Sequence, residues 1–238
     1  MNKVTPLTRA WVWCKRFRNR CGYGVHSPFA FNLITWVIYE KYPFYAYDRL
    51  KKIRKELKCT TYKNSLNTEK VDKLLFRLVN EMQPKFILEV GTQSGLSTLY
   101  MASANTKADV ITFDIQQNEG PFSGKFFAPY HKIISLSGDV EGLVTSYINT
   151  VSQIDFVHFN RRRPEPKIYE QLFSKTHTDS LFVIEGIHDS KCMQEWWSEL
   201  VKDEHTGITF DLYDLGLIFY DKTKIKQHYI VNFFIYLW

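Results

Sequence analysis

Apolar residues recur along the chain with two distinct periods. From Val71 onward, Leu74, Leu75, Leu78, Val79 and Met82 follow at three- and four-residue steps, which predicts a helix. Asn67 or Thr68 offers its N-cap, Glu69 suits its first turn and Pro84 ends it. Short apolar runs then alternate with helical stretches. Lys85–Val90, Val110–Asp114, Ile133–Leu136, Ile154–Phe159 and Leu181–Ile184 read as buried parallel strands. Leu96–Ala104, Glu141–Asn149, Pro166–Ser174 and Lys191–Val201 read as helices between them. This alternation predicts a doubly wound, mostly parallel α/β sheet with helices on both faces. Ile208–Leu212, Leu217–Asp221 and His228–Phe234 are strand-like with no helix between them, and Asp214–Gly216 suggests a turn. The sheet is therefore expected to finish antiparallel.

The N-terminal quarter has another character. Residues 7–20 suit a short basic amphipathic helix, broken by Gly22, Gly24 and Pro28. A second helix should start with Ser27 as N-cap and Pro28 at its first position, running to about Tyr39. Residues 46–58 predict a third, basic helix, followed by a polar connection through Asn67. The expected organisation is a basic helical extension or cap over residues 1–65 and one α/β domain over 66–238, which suits a chain of 238 residues.

Charge sharpens that division. Residues 1–60 carry 13 Lys and Arg against three acids (Glu40, Asp48, Glu56), leaving 18 bases and 22 acids for the rest. The basic character belongs to the N-terminus. Such a face could meet phosphate, an anionic membrane or an acidic partner, or form a solvated surface against the mildly acidic domain. Cys14, Cys21, Cys59 and Cys192 show no Cys-x-x-Cys or metal-ligand spacing and read as buried or free thiols of a reducing compartment. Basic residues interrupt any signal-peptide pattern. Cys21–Tyr39 lacks charged residues, but its Gly, His, Pro, Asn and Ser make poor membrane-spanning material. A cytoplasmic protein without a membrane span is the expectation.

The chemistry concentrates where the first strand meets the following helix. Glu89-Val-Gly91-Thr92-Gln-Ser-Gly95 places two glycines at a strand end, where open α/β sheets bind ligands. Glycine lets the backbone bend sharply and approach a ligand closely. The spacing is Gly-x-x-x-Gly, unlike the Gly-x-Gly-x-x-Gly that cradles a dinucleotide pyrophosphate. A cofactor without phosphates fits this sparser turn, and Glu89 could pair with an amino group. Asp114 ends the second strand, where an acid can accept both hydroxyls of a ribose. Ser137-Gly138-Asp139 ends the third, a place to hold an adenine amino group.

With these residues the chain resembles class I S-adenosylmethionine-dependent methyltransferases, in particular the bacterial O-methyltransferase-like group. The similarity is best over Leu88–Ala104 and extends loosely from about Leu66 to Tyr220. Tyr23–Phe31 and Asp211–Leu217 resemble features of one bacterial branch of that group. The resemblance implies a Rossmann-like sheet of seven strands, the last antiparallel. It implies S-adenosylmethionine as cofactor, with Glu89, Gly91, Gly95, Asp114 and Asp139 lining its site; Thr92, inside the turn, is grouped with them.

Methyl transfer is an in-line displacement at the sulfonium methyl, so the acceptor must be held at attack distance and deprotonated if it is a hydroxyl. In metal-dependent members, the resemblance implies, a divalent cation is held by an Asp after the fourth strand and an Asp-Asn or Asp-Asp pair after the fifth. Here Asn160 and Glu185-Gly186 stand at those places, and no metal site is expected. Arg161–Arg163 add positive charge that opposes a cation and suits an anionic substrate. His188, just past the fifth strand, could serve as general base or could bond the backbone. His26 could fold over the site or simply precede the Ser27 cap, and Glu185 could contact substrate or cap the next turn.

The candidate catalytic residues are therefore His188, Asn160 and Glu185. The expected function is metal-independent methyl transfer to a small or anionic acceptor. The alternative is a binding or regulatory protein that keeps the fold and has lost the chemistry. Nucleic acid is not the expected partner, since no Asn-Pro-Pro-Tyr-type motif or aromatic-basic sheet motif is present. The final Phe-Phe-Ile-Tyr-Leu-Trp is too apolar to hang in water and leaves a homodimer open.

Overall fold

The computed structural model describes residues 6–114, 126–160 and 164–233. The Arg161–Arg163 run and the end of the apolar tail, from Phe234, lie outside the described residues. The described residues form two compact units, one within 42–177 and the other within 6–41 and 178–233. Among the described residues eight strands follow the order β3-β2-β1-β4-β5-β7-β6-β8.

The first unit holds strands β1 (Phe86–Val90), β2 (Asp109–Asp114), β3 (Ile133–Ser137) and β4 (Phe156–Phe159), with helices α3 (Tyr47–Lys58), α4 (Glu69–Met82), α5 (Leu96–Ala104), α6 (Val140–Ile148) and α7 (Pro166–Phe173). β1 lies between β2 and β4, parallel to both, and β2 pairs in parallel with β3. The register aligns Val90 with Phe113 and with Phe159, and Asp114 with Ser137, so their carboxyl ends form one edge. Thr68 caps α4 by accepting from the Val71 N–H, and Gln83 closes it in the left-handed region at φ 47°, directly before Pro84. Leu74, Leu75, Leu78 and Val79 are fully buried, and each leucine contributes on the order of 2 kcal/mol by leaving water. All nine residues of α5 are buried as well, which explains its lack of a polar face.

The basic character of α3 is not all solvent-facing. Its Arg54 is buried against Asp72 of α4 and donates to the Asn67 carbonyl at 2.6 Å. A further short 3₁₀ turn at Thr61–Ser65, capped by Thr60, fills the connection that reads from sequence as polar linker. Of the residues expected to form one N-terminal extension, those from Tyr42 onward belong with the glycine-turn unit and those up to Lys41 with the other.

The second unit contains α1 (Pro6–Lys15), α2 (Pro28–Asn32), α8 (Lys191–Lys202) and strands β5 (Leu181–Glu185), β6 (Thr209–Asp211), β7 (Leu215–Phe219) and β8 (His228–Ile230). Ser27 caps α2 with Pro28 at the first position, as the sequence predicts. The helix then widens into π-type turns over Leu33–Ile38, ending on a bond from the Tyr39 N–H to the Ile34 carbonyl of 3.0 Å. β7 runs against both β5 and β6, while β8 runs parallel to β6. The antiparallel finish is thus one reversed strand, followed by an eighth strand beyond the seven that the resemblance implies.

The turn before β7 also lies earlier than the sequence suggests. Leu212–Asp214 makes it, with Tyr213 at φ 72°, and Gly216 is inside β7. Trp197 of α8 requires that glycine, because a Cβ there would lie 2.5 Å from its ring. Cys14, Cys21, Cys59 and Cys192 are all exposed, so none is a core residue. Among the described residues no helix is long and apolar enough to cross a membrane.

Candidate functional site

The glycine turn hangs from the carboxyl ends of β1 and β2. The N–H groups of Gly91 and Thr92 both donate to the Phe113 carbonyl, at 2.8 and 3.2 Å, and the Gly95 N–H donates to the Thr92 carbonyl at 2.7 Å. This path needs φ of 102° at Gly91 and 71° at Gly95. Between them Gln93 takes φ 47°, uncommon for a side-chain-bearing residue, and its N–H is held by Asp114 Oδ2 at 2.8 Å. Space excludes side chains as firmly as conformation does. A Cβ at Gly91 would lie 3.2 Å from Asn160 Cβ, and one at Gly95 would lie 2.7 Å from Phe127 Cζ. Phe127 carries no sequence signal; only the folded chain brings its ring onto the turn.

Beneath the turn lies a buried polar network centred on Glu89, which is fully buried. Its Oε1 faces Ser97 Oγ at 2.6 Å and His158 Nδ1 at 3.0 Å. Its Oε2 accepts from Thr98 Oγ1 and, at 2.8 Å, from Thr112 Oγ1. With the Thr112 proton so directed, the Thr92 hydroxyl donates to Thr112 Oγ1 at 2.6 Å. Both oxygens are engaged by protein groups, and Glu89 ties β1, β2, β4 and the start of α5 together. Thr92 likewise turns inward, with 7% of its surface exposed.

Three other predicted residues gather around the turn. Asp114 is half-buried at the end of β2, and its carbonyl accepts from the Gly138 N–H at 3.0 Å. Asp139 is exposed at the end of β3 and caps α6, accepting from the Gly142 N–H at 3.2 Å. Asn160 follows β4. Its backbone N–H donates to Val90 and its Nδ2 donates to the Gly91 carbonyl, at 3.0 and 3.1 Å. Asn160 Oδ1 is buried with no hydrogen-bond partner among the described residues. An acceptor left in that state costs about 1–3 kcal/mol.

The remaining predicted residues belong to the other unit. Glu185 ends β5 with 2% of its surface exposed. Gly186 turns the chain at φ 72°, donating to the Asp214 carbonyl at 2.7 Å, and the chain then reaches His188. His188 Nε2 lies 2.9 Å from Asp211 Oδ2, and the ring stacks on Tyr213 at 5.0 Å between centroids. Arg16 of the N-terminal segment grips the same carboxylate, at 2.8 Å to Oδ1 and 2.9 Å to Oδ2, and the Tyr213 N–H adds a fourth donor at 2.7 Å.

Burial alone would push the Asp211 carboxyl up. The hydrogen bonds and charges of His188 and Arg16 outweigh it and hold the group far below the usual carboxylate range. An ionised Asp211 only accepts, so His188 donates to it from Nε2. Sequence reasoning singled out His188 but not the Asp211 and Arg16 it meets, whose pairing spans 195 positions. Among the described residues no group of three or more His, Cys, Asp or Glu side chains converges as a metal site.

No family model and no curated protein sequence matches the chain. Solved structures do. The O-methyltransferase TomG of Streptomyces achromogenes, involved in tomaymycin synthesis and solved with S-adenosylmethionine (SAM), superimposes with a TM-score of 0.58. It is 15% identical over 75% of this chain and 91% of its own. The O-methyltransferase of Bacillus cereus, in complex with the demethylated product SAH, gives 0.58 at 11% identity over 77% and 94% of the two chains. The SAH-bound methyltransferase PaMTH1 of Podospora anserina gives 0.58 at 12% identity over 76% and 98%. The chain therefore shares its fold with these methyltransferases.

Proposed function

We propose that the chain is a SAM-dependent methyltransferase acting on a small or anionic acceptor without a metal ion. The observation that carries this reading is the glycine turn with an unpartnered buried acceptor beside it, Asn160 Oδ1. SAM would supply an activated methyl group on a sulfonium. Gly91 and Gly95 would let the backbone approach the cofactor, and Asp114 would accept from its ribose hydroxyls. Asn160 Oδ1 would accept from its amino group, taking the role first expected of Glu89. Asp139 would meet the adenine amino group, while Glu89 and Thr92 fix the turn from beneath.

His188 is the proposed proton acceptor for a hydroxyl substrate. Its Nε2–H rests on Asp211, so in the neutral ring Nδ1 would be the accepting atom. Metal independence rests on the donor set. Asn160 contributes an amide whose N–H₂ already serves Gly91, and Glu185 is buried, a poorer set than a hard cation takes.

Titration calorimetry with SAM and SAH tests the proposal. Binding of either supports it, and absence of binding to both by folded protein overturns it. Binding without methyl release to any hydroxyl or carboxylate acceptor would favour the binding-protein alternative.

A further inference from the structure

Helix α1 and the residue after it hold two arginines against the protein, while a leucine and a tryptophan of the helix stand exposed. Arg9 and Arg16, two turns apart on one face, reach the protein: Arg9 makes bonds of 2.7 and 3.2 Å to Asp214, and Arg16 clasps Asp211. Leu7 and Trp11 lie one turn apart on the outer face, 83% and 58% exposed. Just past the helix Phe17 is 45% exposed. Cations flank these rings. The Lys15 ammonium sits 3.5 Å over the centroid of Trp11, the Arg20 guanidinium lies 3.6 Å over Phe17, and Arg18 is exposed between them.

A helix that only packs onto its own protein hides its apolar face. This one hides arginines against two buried or half-buried aspartates and leaves a tryptophan and a leucine in water. We propose that the outer face of α1 is a peripheral docking surface for an anionic lipid membrane. Tryptophan and leucine enter the interfacial layer, and lysine and arginine stems lie along them with their charges at the depth of the phosphates.

Charge selects this occupant over two others. This face carries Lys15, Arg18 and Arg20, and residues 6–20 contain no acid, so a second copy of the same face would be repelled. Single-stranded nucleic acid stacks its bases on open ring faces, and here Lys15 and Arg20 already cover faces of Trp11 and Phe17. A bilayer needs only the ring edges and the aliphatic side chain.

The test is co-sedimentation of the full chain with phosphatidylcholine vesicles, with or without phosphatidylglycerol, at low and high salt. Binding to the anionic vesicles is expected to be at least about tenfold tighter than to the neutral ones, and weakened by salt. Trp11→Ser should weaken it severalfold with the thermal melt unchanged, because the ring is exposed; Leu7→Ser is the second apolar variant. Lys15→Glu with Arg18→Glu should abolish the preference for anionic lipid. The inference is overturned by equal or absent binding to the two vesicle types, or by apolar variants that bind as the parent does. Homopolymeric RNA that binds the chain and displaces it from vesicles overturns it too.

Discussion

Asp211 Oδ2 stands 2.9 Å from His188 Nε2, and the same carboxylate holds the guanidinium of Arg16. One buried acid thereby fixes the imidazole after β5 and fastens the N-terminal helix segment. Its pKa is lowered by folding, so the clasp contributes its full stability above about pH 4, the ordinary carboxylate value. That contribution is lost only as pH falls through the lowered folded value. Asp211→Asn should cost about 3 kcal/mol at neutral pH, the scale for breaking a buried pair. It should also flatten the acid limb of stability against pH. Chemical denaturation from neutral to strongly acid pH reads both; an unchanged acid limb would remove Asp211 from this role.

The base assignment predicts a separation of effects. His188→Gln should lower SAH production by roughly a hundredfold or more with a hydroxyl acceptor. SAM affinity should stay within about twofold, since Gln removes the proton acceptor and no proposed cofactor contact. Parallel turnover and calorimetric measurements check this, and equal loss of affinity and turnover would contradict it.

Asp114 is expected to act in binding. Asp114→Ala removes the ribose acceptor and the anchor of the Gln93 N–H, so SAM affinity should fall by about 1–3 kcal/mol. Calorimetry decides, and an unchanged affinity would refute the ribose assignment.

Gly95→Ala meets two obstacles together, the left-handed φ of 71° and the Phe127 ring. Strain alone should cost about 1 kcal/mol or more of stability. Adding Phe127→Ala should relieve the steric part and leave the conformational part. If the double variant melts no higher than the sum of the single effects predicts, the ring is not the obstacle.

Methyl transfer is expected to continue unchanged in a divalent-metal chelator. Activity that falls in chelator and returns with Mg²⁺ would overturn the metal-independent reading.

Much of the architecture is legible from pattern. α5 spans Leu96–Ala104 as predicted, and Ser27, Pro28 and Thr68 take their predicted capping positions, because caps and periods are local properties. The glycine turn is equally local, as each glycine is needed for its own φ. The role of Glu89 is not. A carboxylate at a strand end reads as ligand-facing until three hydroxyls and a histidine, up to 69 positions away, converge on it. Gly216 reads as a turn residue until Trp197 is found against it.

The sequence alone determined the strand–helix alternation, the caps and the bend after Val90, since each depends on neighbours within a few residues. Tertiary structure decided which polar groups face inward. It buried Glu89 among donors, left Asn160 Oδ1 without one, and set Arg16 against Asp211. The hydrogen bonds that satisfy a buried charge come from distant segments, and their directions exist only once those segments meet.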